Sequence, residues 1–296
     1  MPATEFKCPD GTVTKITDCL EHCPNSSRCM FLPTLKAIAK SLNRNLAEPT
    51  ITELLQGTRE TYLKKVTNYS VDPFAQYFAL HGTAVHNLHN ENSDNMLAEI
   101  RLYDGVMSGQ FDVFGKVLNN DTNTLGDYKV TTSYKAMKVL GYYKVDIPTG
   151  EVYKTGVHKG EPKFRKEWRT DGIRDVLEWT IQLNYYRMLL ETRGFKVGNM
   201  YIQMIVRDYS TRIAAERNIT RPVYIVPIRR ISDHWLKLYL QTKAQRLKHA
   251  LTTNNMPKPC SSKENWNGRK CVDYCAVAEH CPYGAGLKAR NEGLAA

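Results

Sequence analysis

The sequence predicts an α/β protein: a central mixed sheet flanked by helices, with a small cysteine-rich, metal-binding module at each end. Two observations carry this. The middle of the chain alternates as helix, three strands, helix, strand, the order of a mixed sheet with helices on its faces. A strand meander followed by a helical crossover returns the next strand to the same sheet. The second observation is a repeated cysteine spacing. Cys8, Cys19, Cys23 and Cys29 read C-x10-C-x3-C-x5-C, and Cys260, Cys271, Cys275 and Cys281 repeat it, which uses all eight cysteines. Four thiolates make one closed tetrahedral zinc site or one four-cysteine iron–sulfur site.

Bulk properties narrow the class. At 296 residues, 42% of them hydrophobic, the chain can hold one large domain or two ordinary ones. It has no apolar run long enough to span a membrane, and Met1 to Lys7 lack the basic start and apolar segment of a secretory signal. The expectation is a cytoplasmic protein whose thiols stay reduced and free to bind metal. Lys and Arg number 41 against 30 Asp and Glu, a formal net charge of +11. Such a surplus implies a polyanionic partner, with DNA, single- or double-stranded, as the expected one and no membrane role.

The elements follow in order. A cysteine module spans residues 1–30, with a turn at Pro9-Asp10-Gly11 after Cys8. Cys19 and Cys23, four apart, share one face of a helical turn. A helical lead-in occupies 31–72: one helix over Thr34 to Leu42, another from Thr50, where Thr50-Ile51-Thr52-Glu53 has the form of a capping box. The core, 73–230, opens with a helix from Pro73 to Glu91. Asp72 suits its N-cap and Pro73 its first position, and Phe74, Tyr77, Phe78, Ala84, Val85 and Leu88 recur at helical spacing. Strands are predicted over Met96 to Leu102, Val106 to Phe114 and Leu125 to Thr131, with a turn at Asn119-Asn120-Asp121. Pro148 to Arg169 reads as a basic loop or weakly structured insert. A strong helix over Asp171 to Thr192, a strand over Asn199 to Val206, a short helix and a strand over Val223 to Ile228 complete the core. A last helix, His234 to Leu251, fills 231–252, and residues 253–296 hold the second cysteine module and a tail.

Charged residues within core-like strands need a reason. Gly109-Gln110-Phe111-Asp112 lies in the second strand and Asp127-Tyr128-Lys129 in the third. Asp127 and Lys129, two apart, point to one face of their strand. Two carboxylates bind Mg2+ or Mn2+ through hard oxygens, and a lysine beside them can orient or help deprotonate a water or stabilise charge building on a phosphate. Upstream, His86 lies on the helix before the first strand, in Gly82-Thr83-Ala84-Val85-His86. Downstream, Gln182 and Tyr186 share one face of the long helix; taken alone, they read as helix packing with a polar contact.

In that order and on those elements, these residues resemble the PD-(D/E)XK nuclease superfamily, most closely its RecB-type exonuclease branch, which includes the CRISPR-associated adaptation nucleases. The resemblance covers Gly82 to Val206. It implies a restriction-endonuclease-like core in which His86, Asp112 and Asp127 bind the catalytic metal and Lys129 acts on the attacking water. Gln182 and Tyr186 would steady the site and touch the nucleic acid, and Glu99 would be a supporting acid. Some relatives also carry an iron–sulfur cluster built from one cysteine before the core and three after it. Here the closing trio has x3 where those relatives usually have x2, and each side has four cysteines. Two arrangements stay open: a separate metal for each quartet (two structural Zn2+ ions), or one shared [4Fe-4S] cluster stapling the ends. The expected function is divalent-metal-dependent DNA hydrolysis. The alternatives are a non-catalytic zinc-containing DNA-binding protein and an endonuclease subunit that needs a partner. The insert (Lys154, Lys159, Lys163, Arg165, Lys166, Arg169) and the last helix (Lys237, Lys243, Arg246, Lys248) are expected to track phosphates.

Overall fold

The computed structural model describes residues 3–42, 48–118 and 122–294. The turn expected at Asn119-Asn120-Asp121 lies outside them. The chain opens with an antiparallel hairpin, β1 (Glu5–Lys7) and β2 (Val13–Lys15), then α1 (Ile16–Glu21) and α2 (Leu32–Leu42). Cys19 sits in α1, but Cys23 lies beyond the helix end, because the chain leaves helical geometry at His22. Next come α3 (Ile51–Leu55) and α4 (Thr58–Val66). The Thr50 hydroxyl accepts from the Glu53 amide at 3.2 Å and Glu53 accepts from the Thr50 amide at 2.7 Å, the capping box the sequence predicts. β3 (Ser70–Val71) pairs in parallel with β1, and α5 (Pro73–Glu91) follows with Asp72 capping the Phe74 amide at 2.8 Å.

β4 (Leu97–Tyr103), β5 (Ser108–Gly115) and β6 (Thr124–Thr131) form the meander. Then come α6 (Ser133–Val139), β7 (Tyr142–Val152), β8 (Pro162–Thr170), α7 (Leu177–Glu191), β9 (Asn199–Val206), α8 (Arg212–Glu216), β10 (Val223–Pro227) and α9 (Asp233–Thr253). The central sheet has the order β10-β9-β6-β5-β4; β9 lies parallel to β6 and the other neighbours are antiparallel. It is the mixed sheet the sequence predicts. α7 supplies the crossover and is buried over most of its length, from Trp179 to Leu190. Alternation along β5 sends Phe111 and Val113 to one face and Asp112 to the other.

Other expectations about the elements also need correction. Pro148 to Arg169 is not a loop: β7 and β8 pair as an antiparallel ribbon from Tyr142↔Thr170 to Val152↔Pro162. Most of its residues face water on both sides, so from Pro148 to Arg169 no apolar alternation marks the strands in the sequence; Tyr143, Val145 and Ile147 alternate just before that stretch. α7 starts at Leu177 rather than Asp171, because the ribbon's base uses the intervening residues: the Arg174 amide donates to Val139 O at 2.8 Å. Gly141, at φ +65°, crosses Gly172 there so closely that a Cβ would stand 2.1 Å from the Gly172 carbonyl. The C-terminal segment after α9 is also more than a module and tail, since α10 (Arg269–Asp273) and α11 (Pro282–Leu294) follow.

Both cysteine-rich segments are fastened to the middle of the chain. Phe6 and Cys19 share an apolar cluster with Leu35, Ile38 and Val71, so packing runs across residue 30. At the other end Val277 joins the main apolar core, with Cys275 and Cys281 packed against it, and polar contacts add to this. Glu60 of α4 is only 5% exposed and takes Lys64 at 2.7 Å and Lys270 of α10 at 2.6 Å. Lys243, predicted to touch phosphates, is instead buried and donates to Glu264 at 2.8 Å and to Gln56 O at 2.6 Å. No helix among the described residues is long and apolar enough to cross a membrane.

Burial opposes the charge on Glu60, but Lys64 and Lys270 overcome it and hold the carboxyl below its usual range. A depressed carboxyl stabilises the fold at pH values above its unfolded pKa and loses that contribution as pH falls through the folded value. Lys270→Met should therefore destabilise the protein by about 1–3 kcal/mol at neutral pH. The deficit should shrink as pH drops below about 4.3, where the unfolded carboxyl takes up its proton. Urea denaturation of both proteins across pH checks this.

Candidate metal centre and cysteine pockets

The sheet opens at one point. β5 and β6 pair through Gly115↔Thr124, Phe114↔Leu125 and Val113↔Gly126, and the next rung would join Asp112 to Asp127. There the strands part, and Asp112 Oδ2 accepts the Tyr128 amide at 2.6 Å in place of a backbone carbonyl. On its other edge β5 keeps a constant register with β4 but makes no rung between Asp112 and Glu99. Glu99 has φ +51°, left-handed for a non-glycine residue inside a strand. Such a backbone costs roughly 1–3 kcal/mol and persists only where the surroundings impose it.

The opening gathers the residues singled out in the sequence. His86 Nδ1 of α5 lies 3.2 Å from Glu99 Oε1 and 3.3 Å from Asp112 Oδ1. Ligand atoms of His86, Glu99 and Asp112 all lie within 4.8 Å of one another, the one such metal-ligand group among the described residues. Glu99 Oε2 also accepts from Gln110 Nε2, whose Oε1 accepts from Arg101 Nη2 at 2.8 Å. Hydrogen bonds to Asp112 and Glu99 push the His86 pKa up to about 10.

Asp127 stands beside this trio rather than in it. Its side chain is 1% exposed, with Lys129 Nζ 2.6 Å from Oδ2. That ion pair lacks hydrogen-bond geometry, so both carboxylate oxygens are buried without a hydrogen bond. Burial and the Asp112 charge push the Asp127 pKa up to about 7. Burial works against the Lys129 ammonium, yet Asp127 and Asp112 hold its pKa above the usual value. Converging carboxylates and an imidazole beside a buried, ion-paired carboxylate are what a hard divalent cation satisfies, so this donor set fits Mg2+ or Mn2+. The ligands expected from sequence were His86, Asp112 and Asp127; the tight group has Glu99 in the third place.

On α7, Gln182 Nε2 donates to the Tyr186 hydroxyl at 2.8 Å. Tyr186 is buried, and burial and Asp127 raise its pKa. Its ring fixes the identity of Gly109, where a Cβ would lie 2.5 Å from Tyr186 Cε1. Four neighbours of the site had no assigned role in the sequence: Arg101, Gln110, Tyr128 and His89. Arg101 and Gln110 face each other across the β4–β5 ladder, a signal that appears only once the register is known. His89 was legible as i+3 from His86; its ring lies 4.2 Å from the Tyr128 ring, and its Nδ1 is buried without a hydrogen bond.

All eight cysteines are free thiols. Cys8, Cys19, Cys23 and Cys29 line one pocket of about 180 Å³. Cys260, Cys275 and Cys281 all interact electrostatically with Cys271. The grouping is thus local, four and four. No three sulfurs lie within 4.8 Å of one another, wider than a closed tetrahedral zinc site with bonds of about 2.3 Å. Burial pushes the Cys275 thiol up to about 11 and raises Cys19, Cys29, Cys260 and Cys271 as well. Such thiols are poor nucleophiles at neutral pH.

No protein-family model matches the chain, and no curated protein does. Among solved structures, one described as the crystal structure of SSO0001 is similar over 84% of this chain and 93% of its own, at 14% sequence identity and a TM-score of 0.43.

Proposed function

We propose that this chain is a divalent-metal-dependent DNA nuclease with a PD-(D/E)XK core, acting as a RecB-type exonuclease on phosphodiester bonds. The observation that carries this reading is the opened rung of the sheet. It sets Asp112, Asp127 and Lys129 on adjoining strand positions with His86 and Glu99 against Asp112. His86, Glu99, Asp112 and Asp127 would hold Mg2+ or Mn2+, which when bound lowers the pKa of a water and offsets charge on the phosphate.

The side chains supply the rest. Lys129 keeps its proton beside Asp127 and can donate to a phosphate oxygen or orient the attacking water. Gln110, itself held by Arg101, fixes the Glu99 carboxylate. Tyr186, locked over Gly109 and bonded to Gln182, closes the buried side of the site against water. Exposed cations on the β7–β8 ribbon (Lys154, Lys159, Arg165, Lys166, Arg169) and on α9 (Lys237, Arg246, Lys248) can follow the DNA backbone.

Asp112→Ala and Lys129→Ala should each lower Mg2+- or Mn2+-dependent cleavage of labelled DNA by at least about a hundredfold while the variants still melt cooperatively. Undiminished cleavage by both would leave a non-catalytic DNA-binding role.

Each cysteine quartet is proposed to hold its own metal, zinc or an iron–sulfur cluster. Metal analysis of protein purified without air should find that Cys29→Ser and Cys275→Ser each remove about half of the cysteine-bound metal, since the quartets are separate. Loss of all of it in either variant would mean one shared site. Iron with broad visible absorbance identifies a cluster; a colourless protein identifies zinc.

A further inference from the structure

The first half of α5 is an uncovered aromatic surface. Phe74, Tyr77 and Phe78 are 47%, 41% and 51% exposed, and Phe31, at the end of the first cysteine segment, is 87% exposed. With Arg28 they line a cavity of about 560 Å³. These rings produce the apolar repeat that predicts the helix, yet they face solvent. Large exposed apolar patches mark binding sites, and the flanking charges narrow the class of ligand.

The Arg207 guanidinium lies 3.9 Å from the centre of the Phe78 ring. Among the described residues neither Arg28 nor Arg207 forms an ion pair with a carboxylate, and Arg28 spends its donors on the carbonyls of Cys19, Leu20 and Glu21. An aromatic floor with an uncompensated arginine stacked on it, in a chain of net charge +11, suits a ligand with flat rings and negative charge. Unpaired nucleobases on a phosphate backbone are that ligand; in a duplex the base faces are already stacked.

Position ties the groove to the candidate metal centre. Phe78 and His86 stand on one helix, about 12 Å apart along its axis. The Arg207 amide donates to Thr131 O at 3.0 Å, at the end of the strand that carries Asp127 and Lys129. We infer that this groove is a base-stacking subsite, which seats unpaired nucleobases of a strand whose phosphodiester lies at the metal centre. The inference rests on the nuclease reading and adds to it a requirement for a single-stranded segment.

The test is binding, so that it does not depend on cleavage. Fluorescence anisotropy, with no divalent ion added, compares a thymidine oligonucleotide with a sugar–phosphate strand of equal length that has no bases. Wild-type protein should bind the thymidine strand more tightly. Phe74→Ala with Phe78→Ala should weaken that binding by about tenfold or more and leave the base-free strand unchanged. Phe31→Ala should weaken it in the same direction; its ring lies outside any helix and is too exposed for its loss to unfold the chain. Thymidine binding unchanged in both variants, or equal wild-type affinity for both strands, would overturn the subsite; unchanged binding would point to a protein occupant. The nuclease reading fails separately, if Asp112→Ala still cleaves.

Discussion

The Tyr128 amide is bound by a side-chain carboxylate where a neighbouring strand would offer a backbone carbonyl. The rest of the candidate site depends on that exchange. Once Asp112 takes the amide, β5 and β6 separate and the Asp127 side chain is left in the gap, 1% exposed and with no hydrogen bond for either oxygen. The left-handed turn at Glu99 opens the other edge of the same strand, against a cost of roughly 1–3 kcal/mol. A sheet that broke both ladders for no purpose would lose backbone hydrogen bonds, each contributing about 1 kcal/mol. Here both losses surround one carboxylate.

The energetics of α5 belong to the same picture. Along its 19 residues only Pro73 is buried, so the helix is held less by apolar packing than the buried α7 is. Its contacts with the sheet include His86 against Glu99 and Asp112, and His89 against Tyr128. The placement of the helix is thereby coupled to the charge of the site, since the carboxylates that hold a protonated His86 are also the oxygens a cation would use.

Much of this was legible in the sequence wherever one residue's chemistry decides the outcome. Thr50 and Glu53 form their capping box, Asp72 and Pro73 start α5 at the expected residue, and β9 has the expected ends. The meander followed by a crossover gave the mixed sheet, and the order of His86, Asp112, Asp127, Lys129, Gln182 and Tyr186 singled out residues that the fold brings together. What stayed illegible depends on register or on solvent. Beyond Ile147 the β7–β8 ribbon faces water on both sides, so that stretch carries no alternation to read. The role of Gln110 emerges from its place opposite Arg101, and Glu99 joins the tight ligand group through a backbone conformation that no residue in the sequence announces. The aromatic repeat of α5 predicted the helix, but nothing in the repeat told that its rings face water.

The cysteines, legible as two quartets, pack as two quartets at opposite ends of the chain, one against α2 and β3 and the other against α4. The central claim is that the opened rung is a hard-cation site. The most direct measurement is anomalous scattering from a crystal of the full chain soaked in Mn2+. The account predicts one Mn2+ peak at the opened rung, coordinated by Asp112 and reached by His86, Glu99 or Asp127. A crystal that takes up Mn2+ elsewhere while that position stays empty would contradict it.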